Sequence, residues 1–124
     1  MAFLTATANK VLDKILRNTD FTPATTVYLA LHTSDPGGTG ANEVTGGSYA
    51  RQAIAFDAAA TKHTQNSAQI DFTGMPATTV THISLWSLAS GGTEWWEGAL
   101  TASKTTAAGD TLRFPAGDVD VDLT

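Results

Sequence analysis

Two periods divide the chain. Between Leu4 and Arg17, the apolar residues Leu4, Ala8, Val11, Leu12, Ile15 and Leu16 recur at the spacing of one helical face. Lys10, Asp13, Lys14 and Arg17 fall mostly off that stripe, and Asp13 precedes Arg17 by four residues, a favourable helical ion pair. Thr5 or Thr7 is placed to cap the first turn, and Asn18-Thr19-Asp20 ends the run. A helix of three or four turns is marginal alone in water, so its apolar stripe needs cover. The plainer expectation is the domain's own sheet; the sharper one is another subunit.

From Thr25 onward the period falls to two. Val27, Leu29 and Leu31 alternate with Tyr28, Ala30 and His32, and Ile54 and Phe56 share a face after Ala50 and Gln52. Ile70 and Phe72 alternate with Gln69 and Asp71. Ile83 and Leu85 alternate with His82, Ser84 and Trp86 over Thr79–Ser87. Glu94–Leu100 holds Trp96 and Leu100 on one face and Trp95 on the other, and Thr111–Phe114 and Val119–Leu123 complete the set. Turn chemistry separates these runs at Asp35-Pro36-Gly37, Gly74-Met75-Pro76, Ser90-Gly91-Gly92 and Gly109-Asp110. The segment Ala89–Thr93, between two aromatic runs, predicts a β-hairpin. The whole predicts a mainly β fold: an antiparallel β-sandwich of about seven short strands with one N-terminal amphipathic α-helix. Residues 1–124 are expected to form a single domain, helical over 4–18 and a sandwich over 25–124.

Composition narrows the function classes. Only 15% of residues are charged, against about 25% in an ordinary soluble domain, and Thr, Ala, Ser and Gly fill the deficit. Such a surface suits a β-rich protein partly covered by neighbours. The net charge of −5 and the scattered cations, Lys10, Lys14 and Arg17 apart, argue against a nucleic-acid partner. No apolar run reaches the length of a membrane span, and the N-terminus lacks the features of a signal peptide. The absence of cysteine excludes disulfides and thiolate metal sites. A product made in a bacterial host cytoplasm and later carried outside on a particle fits these limits.

Candidate chemistry is thin. His32, His63 and His82 have no ligand spacing; His32 and His82 can approach across a sheet, but no third ligand is evident, and no metal or cofactor is expected. Asp118, Asp120 and Asp122 alternate with Val119, Val121 and Leu123, a half-buried strand whose outer carboxylates guard a sheet edge or meet a basic neighbour. Successive carboxylates on such a strand stand nearly 7 Å apart, too far to share one cation unaided. Glu94 and Glu97 bracket Trp95 and Trp96, an arrangement suggestive of sugar binding. Residues three apart on a regular strand point to opposite faces, so these two acids are not expected to flank one glycosidic bond. One Trp is expected in the core and the other exposed. No Gly-x-Ser-x-Gly elbow accompanies His32, Ser34 and Asp35, and the stretch Gly37–Gly47 has no Lys and opens no helix. It reads as a mobile loop ordered by a neighbour. No catalytic residue is expected.

Read as a pattern of strands and turns, the runs VYLALHTSDPGGTGANEVTGGSYARQ and VTHISLWSLASGGTEWWEGAL resemble a small β-rich domain of tailed-bacteriophage virion proteins, of the tail-fibre or minor structural kind. The resemblance covers most of the chain after the first helix and implies a structural or attachment role without catalysis. Two roles follow: capsid decoration by binding the major head protein, or service as a tail fibre, tip or adaptor that contacts the host surface. A fibre shaft is missing from the sequence, which favours decoration. A small glycan-binding module is the further alternative. The implied partners are other virion proteins, copies of the chain itself (a trimer being the expected form) and a host surface glycan. Candidate interface residues are Lys10, Lys14 and Arg17 on the helix, Asp35, Tyr49 and Arg51 in the first run, Trp95 and Trp96, and Asp118, Asp120 and Asp122. The helix and the 33–48 loop are the expected neighbour-facing parts.

Overall fold

A computed structural model describes residues 2–123. The order along the chain is β1 (Ala2–Phe3), α1 (Thr5–Arg17), β2 (Val27–His32), β3 (Gln52–Ile54), β4 (His63–Gln65), β5 (Ile70–Met75), β6 (Thr78–Trp86), β7 (Glu94–Thr106), β8 (Asp110–Phe114) and β9 (Asp120–Asp122). The fold is mainly β, with one N-terminal helix. Five strands form an antiparallel sheet in the order β1-β7-β6-β2-β3, and two ribbons, β4-β9 and β5-β8, stand apart from it. The short strands β1 and β4 carry no alternation of their own, and β7 runs six residues past the expected Leu100. No described helix is long and apolar enough to cross a membrane.

The core lies between one face of the sheet and the ribbons. Leu29 and Leu31 of β2 pair with Leu85 and Ile83 of β6, so their side chains rise together on that face. Phe72 of β5 meets Phe114 of β8 edge-on with centroids 6.0 Å apart, and Val119 and Val121 close the far side. Edge-on aromatic packing adds to the burial of both rings. Period-two alternation is kept on β8, where Leu112 and Phe114 are buried and Thr111 and Arg113 exposed.

On β2 the alternation does not mean what it suggests. Ala30 and His32 point away from the core, yet both are fully buried. The chain leaving β2 folds back over this second face. Val44 N–H donates to the Leu31 carbonyl, Thr33 N–H to that of Asn42, and Asp35 accepts from Gly37 N–H in an Asx turn. The 33–48 loop expected to await a neighbour is instead tied down by the chain's own backbone.

The helix differs from expectation in two ways. Leu4, not Thr5 or Thr7, is its N-cap, and no side chain caps the first turn, because Leu4 is already held by its N–H donating to the Trp95 carbonyl at 3.2 Å. Asn18 ends the helix in a left-handed conformation and Arg17 pairs with Asp13 at 3.3 Å. More consequentially, the domain's sheet covers little of the stripe. Thr7 is the only buried residue of α1, while Leu12, Ile15 and Leu16 are 55, 72 and 73% exposed. The helix meets the sheet chiefly at β1 and β7, along the short edge, and its later turns carry the exposed residues.

Candidate interaction surfaces

The loop-covered face holds the densest polar network in the described residues. Arg51 donates from Nε and Nη2 to the two oxygens of Glu43, each at 2.9 Å, and from Nη1 to the carbonyls of Leu88 and Gly91 at 3.1 and 2.8 Å. Its guanidinium lies 3.9 Å from the Trp86 ring. Planarity allows this: the same group forks onto a carboxylate along its edge and stacks through its face. Tyr49 donates to Glu43 at 2.8 Å and accepts the Leu31 N–H at 3.0 Å while its ring stacks on Phe72. Burial alone would raise the Glu43 carboxyl, but the hydrogen bonds from Arg51 and Tyr49 outweigh it and hold Glu43 below its ordinary value.

A second chain of bonds crosses the sheet beneath the loop. His32 Nδ1 lies 2.8 Å from the Ala41 carbonyl, which can only accept, so this nitrogen carries the proton. Burial keeps the ring's pKa below its ordinary value despite the Ala41 bond, leaving Nε2 as an acceptor for the Ser84 hydroxyl at 2.6 Å. Ser84 Oγ in turn accepts the Trp86 indole N–H at 2.6 Å. Each proton has one destination, which gives the layer a single arrangement.

Glu94 is the exception. It is 6% exposed, and neither carboxylate oxygen has a hydrogen-bond partner. The Ser84 hydroxyl is nearby but its proton is committed to His32. Burial first, and the neighbouring Glu97 second, push the Glu94 carboxyl up to about 7. The two acids share a face, contrary to the three-residue spacing, because the β6–β7 register slips between Leu85 and Trp86: Trp86 pairs with Glu94 but Leu85 with Trp96 and Ser84 with Glu97. The bulge brings both acids under the loop, where Glu97 accepts the Gly38 N–H at 3.0–3.1 Å. One carboxylate is thus buried and the other engaged by backbone, and the geometry offers no bound sugar a position between them.

A separate apolar groove of about 440 Å³ lies between the sheet, α1 and the β4-β9 ribbon. Its lining includes Phe3, Val11, Val27, Phe56, Trp96, Val121 and Leu123, with Lys62, His63 and Asp122 beside them. Trp96 packs on Phe3 with centroids 4.6 Å apart and ring planes tilted by 31°, and its indole N–H and the Thr7 hydroxyl are both buried without a partner. The exposed stripe Leu12–Ile15–Leu16 continues outward from Val11. Covering such side chains is worth about 1.5–3 kcal/mol each. His63, on the rim, lies 2.6 Å from Asp122 and 3.5 Å from Asp120, and the Asp122 bond raises its pKa.

The sequence-nominated residues therefore separate. Tyr49 and Arg51 are spent inside the network, where the Arg51 side chain is 8% exposed. Asp35 turns the loop at the surface. Trp95 and Trp96 are both half-buried, the first edge-on to Phe21 at 5.6 Å and the second against the core. Asp118, Asp120 and Asp122 are exposed, as are Lys10, Lys14 and Arg17, with Lys10 over the Phe21 ring. Glu43, Ser84 and Trp86 were not nominated: Glu43 meets Tyr49 and Arg51 only six and eight residues on, but through a fold of the loop that no period announces, while Ser84 meets His32 52 residues away and Trp86 meets Arg51 across the sheet.

No curated protein matches the chain. A family described as podophage GP4 fiber I protein gp80 matches residues 2–122. That extent includes the helix, the sheet and both ribbons, and a fibre family accords with the tail-fibre alternative better than with capsid decoration. The chain belongs to this family of phage fibre proteins and is a structural component of the virion.

Proposed function

We propose that this protein is a non-enzymatic component of a tail fibre, fastened to other virion proteins and placed where the particle meets its host. The family match over residues 2–122 carries this reading. The site geometry supports it: the acids that invite a catalytic role are buried or engaged by backbone, whereas the largest unfinished features are apolar surfaces suited to protein contact. Capsid decoration has no such support. Gold-labelled antibody against the purified chain, applied to intact particles, tests the choice. Label at the tail with a low copy number per particle is expected; label spread over the head overturns the proposal.

A further inference from the structure

We infer that residues 37–42 form a proton-dependent flap: one proton held between Glu94 and Glu97 keeps the flap on the sheet, and its loss lets the flap lift. The segment is built to move as a unit. Pro36 and Val44 are buried anchors at its two ends, and no residue from Gly37 to Asn42 is buried. Four of those six residues, Gly37, Gly38, Gly40 and Asn42, have a left-handed backbone. Gly40 rests its backbone against the Trp86 ring. Polar bonds supply the rest of the hold: Gly38 N–H donates to Glu97, and the Ala41 and Asn42 carbonyls accept from His32 and from the Thr33 N–H. Segments with so few buried apolar contacts open locally, without the rest of the fold.

The acid pair beneath the flap needs that proton. Two carboxylates have no hydrogen to place between them, so Glu94 as an anion is orphaned. As an acid it donates to Glu97, and the pair carries a single charge. The Gly40 backbone and the Ser84 hydroxyl lie close enough to favour the anion, but neither bonds it. No counter-charge comes from the other groups of this face. His32 on β2 is kept neutral by burial, His82 pairs with it on β6, Asp35 and Glu43 of the loop are acids, and Arg51 is committed to Glu43. Among the described residues neither Glu94 nor Glu97 has an ion-pair partner. When the proton leaves, two like charges remain under the flap, and lifting it gives water to Glu94. The carboxyl stands at about 7 with the flap down and returns toward 4.5 once hydrated. Each pH unit between those values then favours the lifted state by up to about tenfold, and the gain stops above about 7. Lifting bares the Trp86 ring, His32 and both acids, so this face offers one surface in mild acid and another at neutral pH.

Backbone hydrogen exchange on the full wild-type chain, followed by NMR from about pH 5 to 8, tests this. Protection of the Gly38 and Thr33 amides should fall by up to about tenfold per pH unit and level off near pH 7. The fall should be indifferent to low concentrations of urea, because a lifted flap exposes little surface; the Leu85 amide, within the β2–β6 ladder, should follow urea throughout. Glu94→Gln should hold both flap amides at their acid-pH protection across the range. Glu97→Gln removes the second charge but keeps an acceptor for the Gly38 N–H, and should bring the levelling to lower pH. Excess magnesium or calcium should change nothing. Flap protection independent of pH in the wild type, a fall that persists in Glu94→Gln, or a fall that follows urea with the ladder overturns the inference. So does an unmoved profile in Glu97→Gln, or one displaced by either metal ion. A flap that stays down at every pH would leave the fibre role standing, since that role rests on the family match.

Discussion

The 33–48 loop and helix α1 both lie against the five-stranded sheet, and only the loop is finished by the chain itself. The loop has few large apolar residues. It is held by directional bonds: Glu43 to Arg51 and Tyr49, Ala41 to His32, Gly38 to Glu97. The helix has a better apolar stripe and less cover, with Ile15 and Leu16 mostly in solvent. Hydrophobic patterning states that a surface seeks burial but not where the cover comes from. Polar contacts with fixed geometry name their partner. In this protein the strongly patterned segment is the one left open, and the weakly patterned one is locked.

The sharpest way to break that contrast is at Arg51. Arg51→Met removes the fork on Glu43, two carbonyl bonds and the stack on Trp86, leaving a half-buried carboxylate without its cation; a loss of about 3 kcal/mol is expected in denaturant unfolding. Arg51→Lys should recover little, since an ammonium neither forks nor stacks in the same way. A loss below about 1 kcal/mol would mean the loop is held by something other than this network.

Gly40→Ala comes next. A Cβ there would lie 2.5 Å from two ring carbons of Trp86, and the backbone is at φ +70°. Strain and overlap together should cost about 2–3 kcal/mol and shift the Trp86 fluorescence as the loop lifts. Gly37→Ala, at φ +63° but with open space around its Cβ, should cost only about 1 kcal/mol. Equal losses at the two positions would remove the ring contact as the cause.

Glu94 makes the loop-covered face pH-dependent. Its folded value of about 7 stands above the ordinary 4.5, so between these the folded state holds more protons than the unfolded chain. Stability then falls as pH rises from about 4.5 to 7 and levels off above. Glu94→Gln should flatten that slope and add on the order of 1–2 kcal/mol at pH 8. His63, held charged by Asp122, also loses stabilisation as pH rises, through its own raised value above 6.5, so His63→Gln measured in parallel separates the two contributions. An unchanged slope in the Glu94 variant would place the proton elsewhere.

The smallest effect is expected at the helix. Ile15→Ser with Leu16→Ser should change the stability of the dilute chain by less than about 0.5 kcal/mol, because those side chains touch nothing that unfolding would expose. A large loss in dilute protein would mean that the stripe is covered within one chain.

Much of this architecture is legible in local periods. The helix over Leu4–Arg17, the strand Val27–His32, the hairpin through Ser90-Gly91-Gly92 and the last strand with Val121 inward follow from spacing and turn residues, because a period of 3.6 or 2 is a property of neighbours along the chain. The absence of cysteine likewise settled, before any folding, that no disulfide holds it. Tertiary structure alone decided the rest. One slipped register between Leu85 and Trp86 placed Glu94 and Glu97 on the same face; a returning loop turned the outward His32 into a buried one; the short edge at β1 left the helix stripe bare. Each is a relation between segments far apart in sequence, and a side chain's spacing fixes which way it points without fixing what will be there to meet it.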